Sequence, residues 1–453
     1  MPPRPRGEAL RAGMVSLGCS KNLVDSERIL GTLKAAGYEI TPHAEQADLV
    51  LVNTCAFVRS AQEESIESVL EMARYKEEGR CKALVVVGCL PQRFGHELAA
   101  QIPEVDAWVG VGQIPRVLEV SAALLADQRD WSGHRRSPVD GDPEGAFPRL
   151  LCTPPHYAYL KVSEGCRNHC AYCVIPSIRG ELRSRPLNSL VQEAEELARG
   201  GVKELILVAQ DLGEYGKDLA PPATLMSLLE GLSAIEGLEW IRLLYLHPAH
   251  VPDELVQALA TEPKICPYLD LPLQHIDDRI LKAMNRGITS VQIWSLIERL
   301  RSAIPHLSLR TTVMVGFPGE DESRFFALLD FIHRAQFDHL GAFAYSREEG
   351  TPASRRRGQV PERVKEERLG QIMDLQARIS REKNQRLVGS RQRILIDQSA
   401  SSGDPRTRGR MSRQAPEVDG VVYVRGIGGS PGEFEEMKIV GADTYDLVAE
   451  RLV

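Results

Sequence analysis

The sequence predicts a multidomain α/β protein: an N-terminal open parallel α/β sheet, a central partial (β/α)6 barrel, and a C-terminal five-stranded antiparallel barrel of OB-like form. Three observations carry this. Short apolar runs alternate with helical periodicity over residues 1–125, which implies a parallel sheet. The alternation resumes after residue 150 with six more strands, too few for a closed (β/α)8 barrel. Beyond residue 386 the pattern changes to about five short strands without long helices. A chain of 453 residues is also too long for one ordinary core.

Residues 1–12 are rich in Pro and Arg and read as a frayed lead-in. Met14–Leu17, Asp48–Asn53 and Ala83–Val87 then read as buried strands, with helical stretches at Ser26–Ala36 and Ala61–Tyr75. A cysteine stands just past each strand: Cys19, Cys55 and Cys89, spaced 36 and then 34 residues apart. In an open α/β sheet the carboxyl ends of the strands share one edge, so these distant thiols can converge on one metal site. Any one of them alone reads as a small buried hydrophobe; the shared position is what points to a ligand set. Cys81, Cys152 and Cys266 lack that setting and read as packing residues.

Residues 126–150 are polar and rich in Pro, Gly and Asp, as a linker would be. The central domain, residues 151–385, follows with strands at Tyr157–Ser163, Glu204–Ala209, Trp240–Tyr245, Tyr268–Leu273, Ser308–Val315 and His339–Tyr345. After its first strand comes Cys166-x3-Cys170-x2-Cys173, three thiols within eight residues that one loop can aim at a single soft metal centre. Thiolate spacing alone leaves zinc and an iron–sulfur cluster open, and structural sites of either kind usually take four protein ligands. Polar or glycine residues stand at the other strand ends: Gln210-Asp211, His247, Gln274-His275 and Gly316-Phe317-Pro318-Gly319. Pro361–Leu387 reads as an amphipathic helix leaving the barrel.

The C-terminal domain, residues 386–453, carries ten Lys plus Arg and ten Asp plus Glu, so it is electroneutral. That makes it a poor phosphate binder, although Arg406, Arg408, Arg410 and Arg413 form a cluster that RNA could touch. The whole chain has a net charge of −7 with 26% charged residues, which disfavours a dominant nucleic-acid footprint and suits a basic partner. No run approaches the ~18 apolar residues of a membrane span, and the N-terminus has no apolar signal core. The expected compartment is the cytosol, where clustered cysteines point to metal or catalysis rather than disulfides.

The loop Cys166-x3-Cys170-x2-Cys173, with Tyr172 before its last cysteine, resembles the cluster loop of radical S-adenosylmethionine (SAM) enzymes. With the Cys19/Cys55/Cys89 domain and the small C-terminal barrel, the whole chain resembles the methylthiotransferases, whose C-terminal barrel is a TRAM domain. Ser16–Glu27, Ile175–Gly180, Ala209–Asp211 and Leu271–His275 are similar to the RimO branch, which modifies a ribosomal protein. The resemblance implies two [4Fe–4S] clusters per chain: one on Cys166, Cys170 and Cys173 that cleaves SAM to a radical, and an auxiliary one on Cys19, Cys55 and Cys89 that delivers sulfur. It implies a substrate, the β-carbon of an aspartate in small-subunit ribosomal protein twelve, free or within the subunit, and a low-potential electron donor. Tyr172, Gln210, Gln274, Arg310, Gly316 and Phe317 are the candidate SAM or substrate contacts. A tRNA adenosine methylthiotransferase and a non-catalytic metal- or RNA-binding adaptor are the alternatives.

Overall fold

A computed structural model describes residues 9–126, 148–401, 406–426 and 428–452. The chain divides into two compact units. The first comprises residues up to 152 together with 164–167 and 173–183; the second comprises 153–163, 168–172 and 184 onward.

In the first unit, β1 (Arg11–Ser16), β2 (Glu39–Ile40), β3 (Leu49–Thr54), β4 (Ala83–Gly88) and β5 (Ala107–Gly110) pair in parallel in the order β2-β1-β3-β4-β5. Both faces are covered, which is why β3 and β4 are continuous apolar runs, buried throughout. On one face Val50, Val52, Leu84 and Val86 pack against Val69 and Met72 of α2 (Arg59–Ala73, followed by the short α3, Tyr75–Glu78) and Leu90 of α4 (Cys89–Gln101). On the other, Leu49, Leu51, Val85 and Val87 pack against Ile29 and Leu33 of α1 (Ser20–Ala35) and Val117 and Val120 of α5 (Val117–Leu125). The alternation of side chains along each strand thus supplies two separate cores.

Several boundaries move. The strand expected at Met14 begins at Arg11, whose backbone N–H donates to Asp48 Oδ2 at 3.0 Å. Helix α1 begins at Ser20, not Ser26, because its first turns bury polar side chains, Lys21, Asn22, Asp25, Ser26 and Glu27, and so hide the apolar period. Strands β2 and β5 and helix α4 were not anticipated; α4 contains Pro91 and Gly95, which weaken its sequence signature. Residues 1–8 of the expected lead-in and 127–147 of the expected linker lie outside the described residues. Beyond them Glu27 forms a clamp: it pairs with Arg149 and accepts the Cys152 N–H at 2.9 Å. Cys81 and Cys266 are buried, as packing residues should be, but Cys152 is exposed, because only its backbone meets that clamp.

The two-residue strands β7 (Ser163–Glu164) and β8 (Arg183–Ser184) flank α6 (Ile175–Arg179) in the sequence, and α6 belongs to the first unit. The second unit contains the partial barrel. Its strands β6 (Tyr157–Lys161), β9 (Glu204–Val208), β10 (Trp240–Leu243), β11 (Ile265–Gln274), β12 (Ser308–Val315) and β13 (His339–Ala344) form one parallel sheet in sequential order. The intervening helices are α7 (Leu187–Arg199), α8 (Leu225–Ser233), α9 (Asp253–Thr261), α10 (Asp278–Ala283), α11 (Ser290–Ala303) and α12 (Glu322–Ala335), and α13 (Glu362–Leu387) leads out. Among the described residues no helix is long and apolar enough to cross a membrane.

The last domain, also in the second unit, is a closed barrel of β14 (Arg391–Gln398), β15 (Thr407–Met411), β16 (Val422–Val424), β17 (Phe434–Ala442) and β18 (Leu447–Arg451), ordered β14-β15-β16-β18-β17. It is not wholly antiparallel: β16 and β18 are parallel, since the chain passes through β17 before closing the ring. Buried ion pairs fix it to the N-terminal ends of the central strands. Arg410, 2% exposed, pairs with Glu204 and Asp397 at 2.7 Å each, and Arg242 bonds Glu204 at 2.6 Å and the Ser412 carbonyl at 2.7 Å. Tyr268 donates to Asp419 at 2.8 Å and Arg413 pairs with Asp338 at 2.7 Å. Two of the four arginines read as a possible RNA cluster are therefore bound to carboxylates of their own chain.

Candidate active site

The carboxyl ends of β1, β3 and β4 deliver three thiols to one place. Cys19 is the N-cap of α1 and Cys89 is the first residue of α4, so two of the sulfurs stand at helix N-termini, where the backbone favours negative charge. Asparagines knit the turns together. Asn22 donates its amide to the Leu17 and Thr54 carbonyls at 3.1 and 2.9 Å, and Asn53 donates to the Asn22 carbonyl at 2.8 Å and Ser26 Oγ at 2.9 Å. Gly18, at φ +90°, leaves room for this approach: a Cβ there would lie 2.8 Å from Cys55 Cβ and 3.3 Å from its sulfur.

The three thiols feel one another's charge. Burial raises Cys55 despite the Phe57 N–H, and Cys19 adds to the shift. Burial pushes Cys89 up to about 11 against the pull of Arg179, with Cys19 and Cys55 adding. Burial also opposes ionisation of Cys19, but Lys21, Arg179 and two backbone N–H groups outweigh it and hold this thiol below its ordinary value. Arg179, 1% exposed, bonds Glu164 Oε1 at 2.7 Å and Cys89 Sγ at 3.5 Å, and also reaches Asn22 and Asp25. Three thiols, two helix ends and a buried cation make a donor set that fits a thiolate-bound cluster, because the anionic charge of the ligands is met on several sides.

The other cysteine loop is seated piece by piece. In the first unit the Cys166 N–H donates to the Gly180 carbonyl at 3.1 Å and Cys173 Sγ accepts the Ile175 N–H at 3.4 Å. In the second unit Cys170 is buried and its sulfur accepts from Arg286 Nη1 at 3.5 Å; Arg286 also holds the Pro272 carbonyl at 2.5 Å. Asn285 donates to the His169 carbonyl at 3.0 Å, and Asn168 donates to Asp211 Oδ2 at 2.7 Å. Asp211 further accepts from His250 Nδ1 at 2.7 Å and from the His247 and Gly213 N–H groups at 3.1 Å each. Burial opposes its charge, yet the His250 and Asn168 donors hold the carboxyl below the usual range. Burial, helped by the nearby Arg286 charge, pulls His247 down to about 3, so its ring is neutral, with Nδ1 accepting the Ala249 N–H at 3.2 Å.

Of the expected SAM or substrate contacts, Gln210 and Gln274 are at the strand ends with polar atoms to offer. Neither amide atom of Gln210 has a partner among the described residues, and neither has Gln274 Oε1. Gln274 also holds φ +74° at the end of β11 and Tyr245 φ +66° after β10, unusual backbone for side-chain-bearing residues. Tyr172 is half-buried against the cluster of Ala171, Met284, Phe317 and Tyr345. The remaining three are engaged otherwise. Phe317 is 0% exposed and meets Tyr345 edge-on. Gly316 donates to Glu320 at 2.9 Å, and the space of its missing Cβ is filled by Lys365, with Cγ 2.3 Å from the Cβ position. Arg310 is the third residue of β12, near the end where the C-terminal barrel docks, and is held by Asp270 at 3.0 Å and Asp419 at 3.5 Å. His275 is closed off by Asp277 and Glu320 in the interior. Sequence reasoning missed Arg179, Arg286, and the coupling of Asn168 to Asp211.

Residues 11–110 match a family described as uncharacterized protein family UPF0004, 160–332 the Radical SAM superfamily, and 388–452 the TRAM domain. The radical SAM methyltransferase TsrM of Kitasatospora setae is similar in fold, with a TM-score of 0.57 at 15% identity, covering 81% of this chain and 89% of that one. Much nearer in sequence are two proteins named ribosomal protein uS12 methylthiotransferase RimO. That of Trichlorobacter lovleyi is 48% identical, covering 98% of both chains. That of Geobacter sulfurreducens is 47% identical, covering 97% of this chain and 98% of its own. Identity of this extent across all three domains leaves one assignment: the chain belongs to the RimO family of radical SAM methylthiotransferases.

Proposed function

We propose that this chain adds a methylthio group to the β-carbon of an aspartate in ribosomal protein uS12, using two [4Fe–4S] clusters and SAM. The observation that carries the reading is near-full-length identity of 48% to a relative of that name, in a chain with two separate cysteine triads. Cys166, Cys170 and Cys173 would hold the cluster that binds SAM, and Cys19, Cys55 and Cys89 the auxiliary one. When bound, clusters and SAM supply the radical that opens an unreactive C–H bond, and the sulfur and methyl group that replace the hydrogen. The chain's residues position these groups and keep water out. Arg286 fixes Cys170, Asp211 fixes the loop through Asn168, and the amides of Gln210 and Gln274, together with Tyr172, are the groups that would meet SAM or substrate. Arg310, Gly316 and Phe317 act behind them, through packing and docking of the C-terminal barrel.

An acidic chain of net charge −7 complements a basic ribosomal protein, and a low-potential donor supplies the electron. The protein, incubated with uS12, SAM and such a reductant, should add one methylthio mass to a single aspartate. Modification of adenosine in tRNA with uS12 untouched would overturn the substrate. Cys166→Ala should abolish SAM cleavage. Cys55→Ala should spare cleavage, stop sulfur insertion and reduce iron from about eight to about four per chain; full sulfur insertion by Cys55→Ala would refute the auxiliary cluster.

A further inference from the structure

The geometry points to Arg179 as the residue that sets the reduction potential of the auxiliary cluster, by hydrogen-bonding the Cys89 sulfur and placing a buried positive charge beside the thiolates. The inference rests on the proposed auxiliary cluster and adds to it a named tuning group. Arg179 ends α6, six residues beyond Cys173, so the helix that leaves the SAM loop delivers its guanidinium to a ligand of the other triad. Val174 and Ile178 anchor that helix in the same apolar core as Leu90, next to Cys89.

Both terminal nitrogens of the guanidinium are used. Nη1 bonds Glu164 Oε1 at 2.7 Å, and Asp25 Oδ2 lies 3.4 Å from both Nη atoms. Nη2 reaches Asn22 Oδ1 and lies 3.5 Å from Cys89 Sγ. Asn22 in turn fixes the turns bearing Cys19 and Cys55 through the Leu17 and Thr54 carbonyls. Two carboxylates and a thiolate thus converge on one cation that is 1% exposed. Two carboxylates would be more than a salt bridge needs; the same cation also touches the Cys89 sulfur, which would be a ligand of the cluster. Reduction adds negative charge to a cluster, so a nearby cation and an N–H···S bond make reduction easier, and a nearby carboxylate makes it harder. Lys in place of Arg keeps the charge but cannot span four partners with a planar fork.

The test uses full-length protein with Cys166, Cys170 and Cys173 all replaced by Ala, so that only the auxiliary cluster is loaded, and reads its potential by EPR-monitored redox titration. In that background Arg179→Lys should shift the potential to more negative values, and Asp25→Asn should shift it to more positive values. Opposite signs separate electrostatic tuning from loosening, which would admit solvent in both variants. If about four irons load and neither variant moves the potential, or both move it the same way, Arg179 is only a structural anchor. If the triple variant loads no iron, the auxiliary-cluster reading itself fails.

Discussion

Asp211→Asn isolates what the carboxylate under the cysteine loop does. Its two oxygens accept four donors: the Gly213 and His247 N–H groups on Oδ1, and Asn168 Nδ2 and His250 Nδ1 on Oδ2. Asparagine has the same shape, but in either amide orientation its NH2 faces two donors. Two hydrogen bonds to a charged acceptor are lost, each worth about 1.5–3 kcal/mol. His250 can recover one by switching tautomer, so the net loss is about 1.5–3 kcal/mol, borne by the seating of Asn168 and therefore of the Cys166–Cys173 loop. At about 1.4 kcal/mol per tenfold, the equilibrium for seating the loop falls about 10- to 140-fold. Release of 5′-deoxyadenosine from SAM should fall by that factor, with iron content checked in parallel. The reversed pair Asn168→Asp with Asp211→Asn restores a donor facing an acceptor and should recover most of the rate. A single variant within about threefold of the parent, or a double variant no better than the single, would show that this bond does not hold the loop.

Two further outcomes concern the docked C-terminal barrel. Arg410→Ala removes one partner from a buried network, a change that costs about 3–5 kcal/mol; Glu204 keeps Arg242 and Asp397 is 19% exposed, so the low end, about 3 kcal/mol, is expected as a lower urea midpoint and earlier proteolytic release of the barrel. Acid should loosen the same docking. Burial opposes the charges of Asp338 and Asp397, but Lys383 and Arg413 for the one, and Arg410 and His156 for the other, hold both below their ordinary values. Their contribution is full above the unfolded carboxylate pKa of about 4 and is lost as pH falls through the lower folded values. Asp270, raised by burial despite Arg310, works in the opposite sense, so two groups act against one. The thermal midpoint should fall from pH 5 to pH 3, and less so in Arg413→Gln; equal slopes in both proteins would exclude these pairs.

The strands were legible where burial on both faces makes them unbroken apolar runs, as in β3 and β4, and the cysteine positions followed from strand ends alone. What escaped was polar and distant. The first two turns of α1 hide because Asn22, Asp25, Ser26 and Glu27 face inward to serve the thiols and the clamp, so the period that marks a helix is absent. Arg179 and Arg286 were invisible as thiol partners because they lie 90 and 116 residues from Cys89 and Cys170, and nothing local marks an arginine as buried. Arg310 shows the reverse error. An expected strand-end location suggested a ligand contact, but its place as third of eight residues puts it toward the docking end.

Electroneutrality of the C-terminal domain says little about its partner until the charges it uses internally are separated out. Arg410 and Arg413 are taken by Glu204, Asp397 and Asp338, while Asp419 is taken by Tyr268 and Arg310. Arg406 and Arg408 instead lie over Tyr423, at 4.5 and 5.8 Å from its ring. A phosphate backbone is bound through several cations on one accessible face, each adding about one to the salt dependence of binding. Of these four arginines Arg406 is exposed, so any RNA affinity should lose about one unit of salt slope in Arg406→Gln and none in Arg413→Gln. Loss of slope in Arg413→Gln would mean that this arginine leaves Asp338 for phosphate, and the docking assigned to it would then be a resting state that RNA displaces.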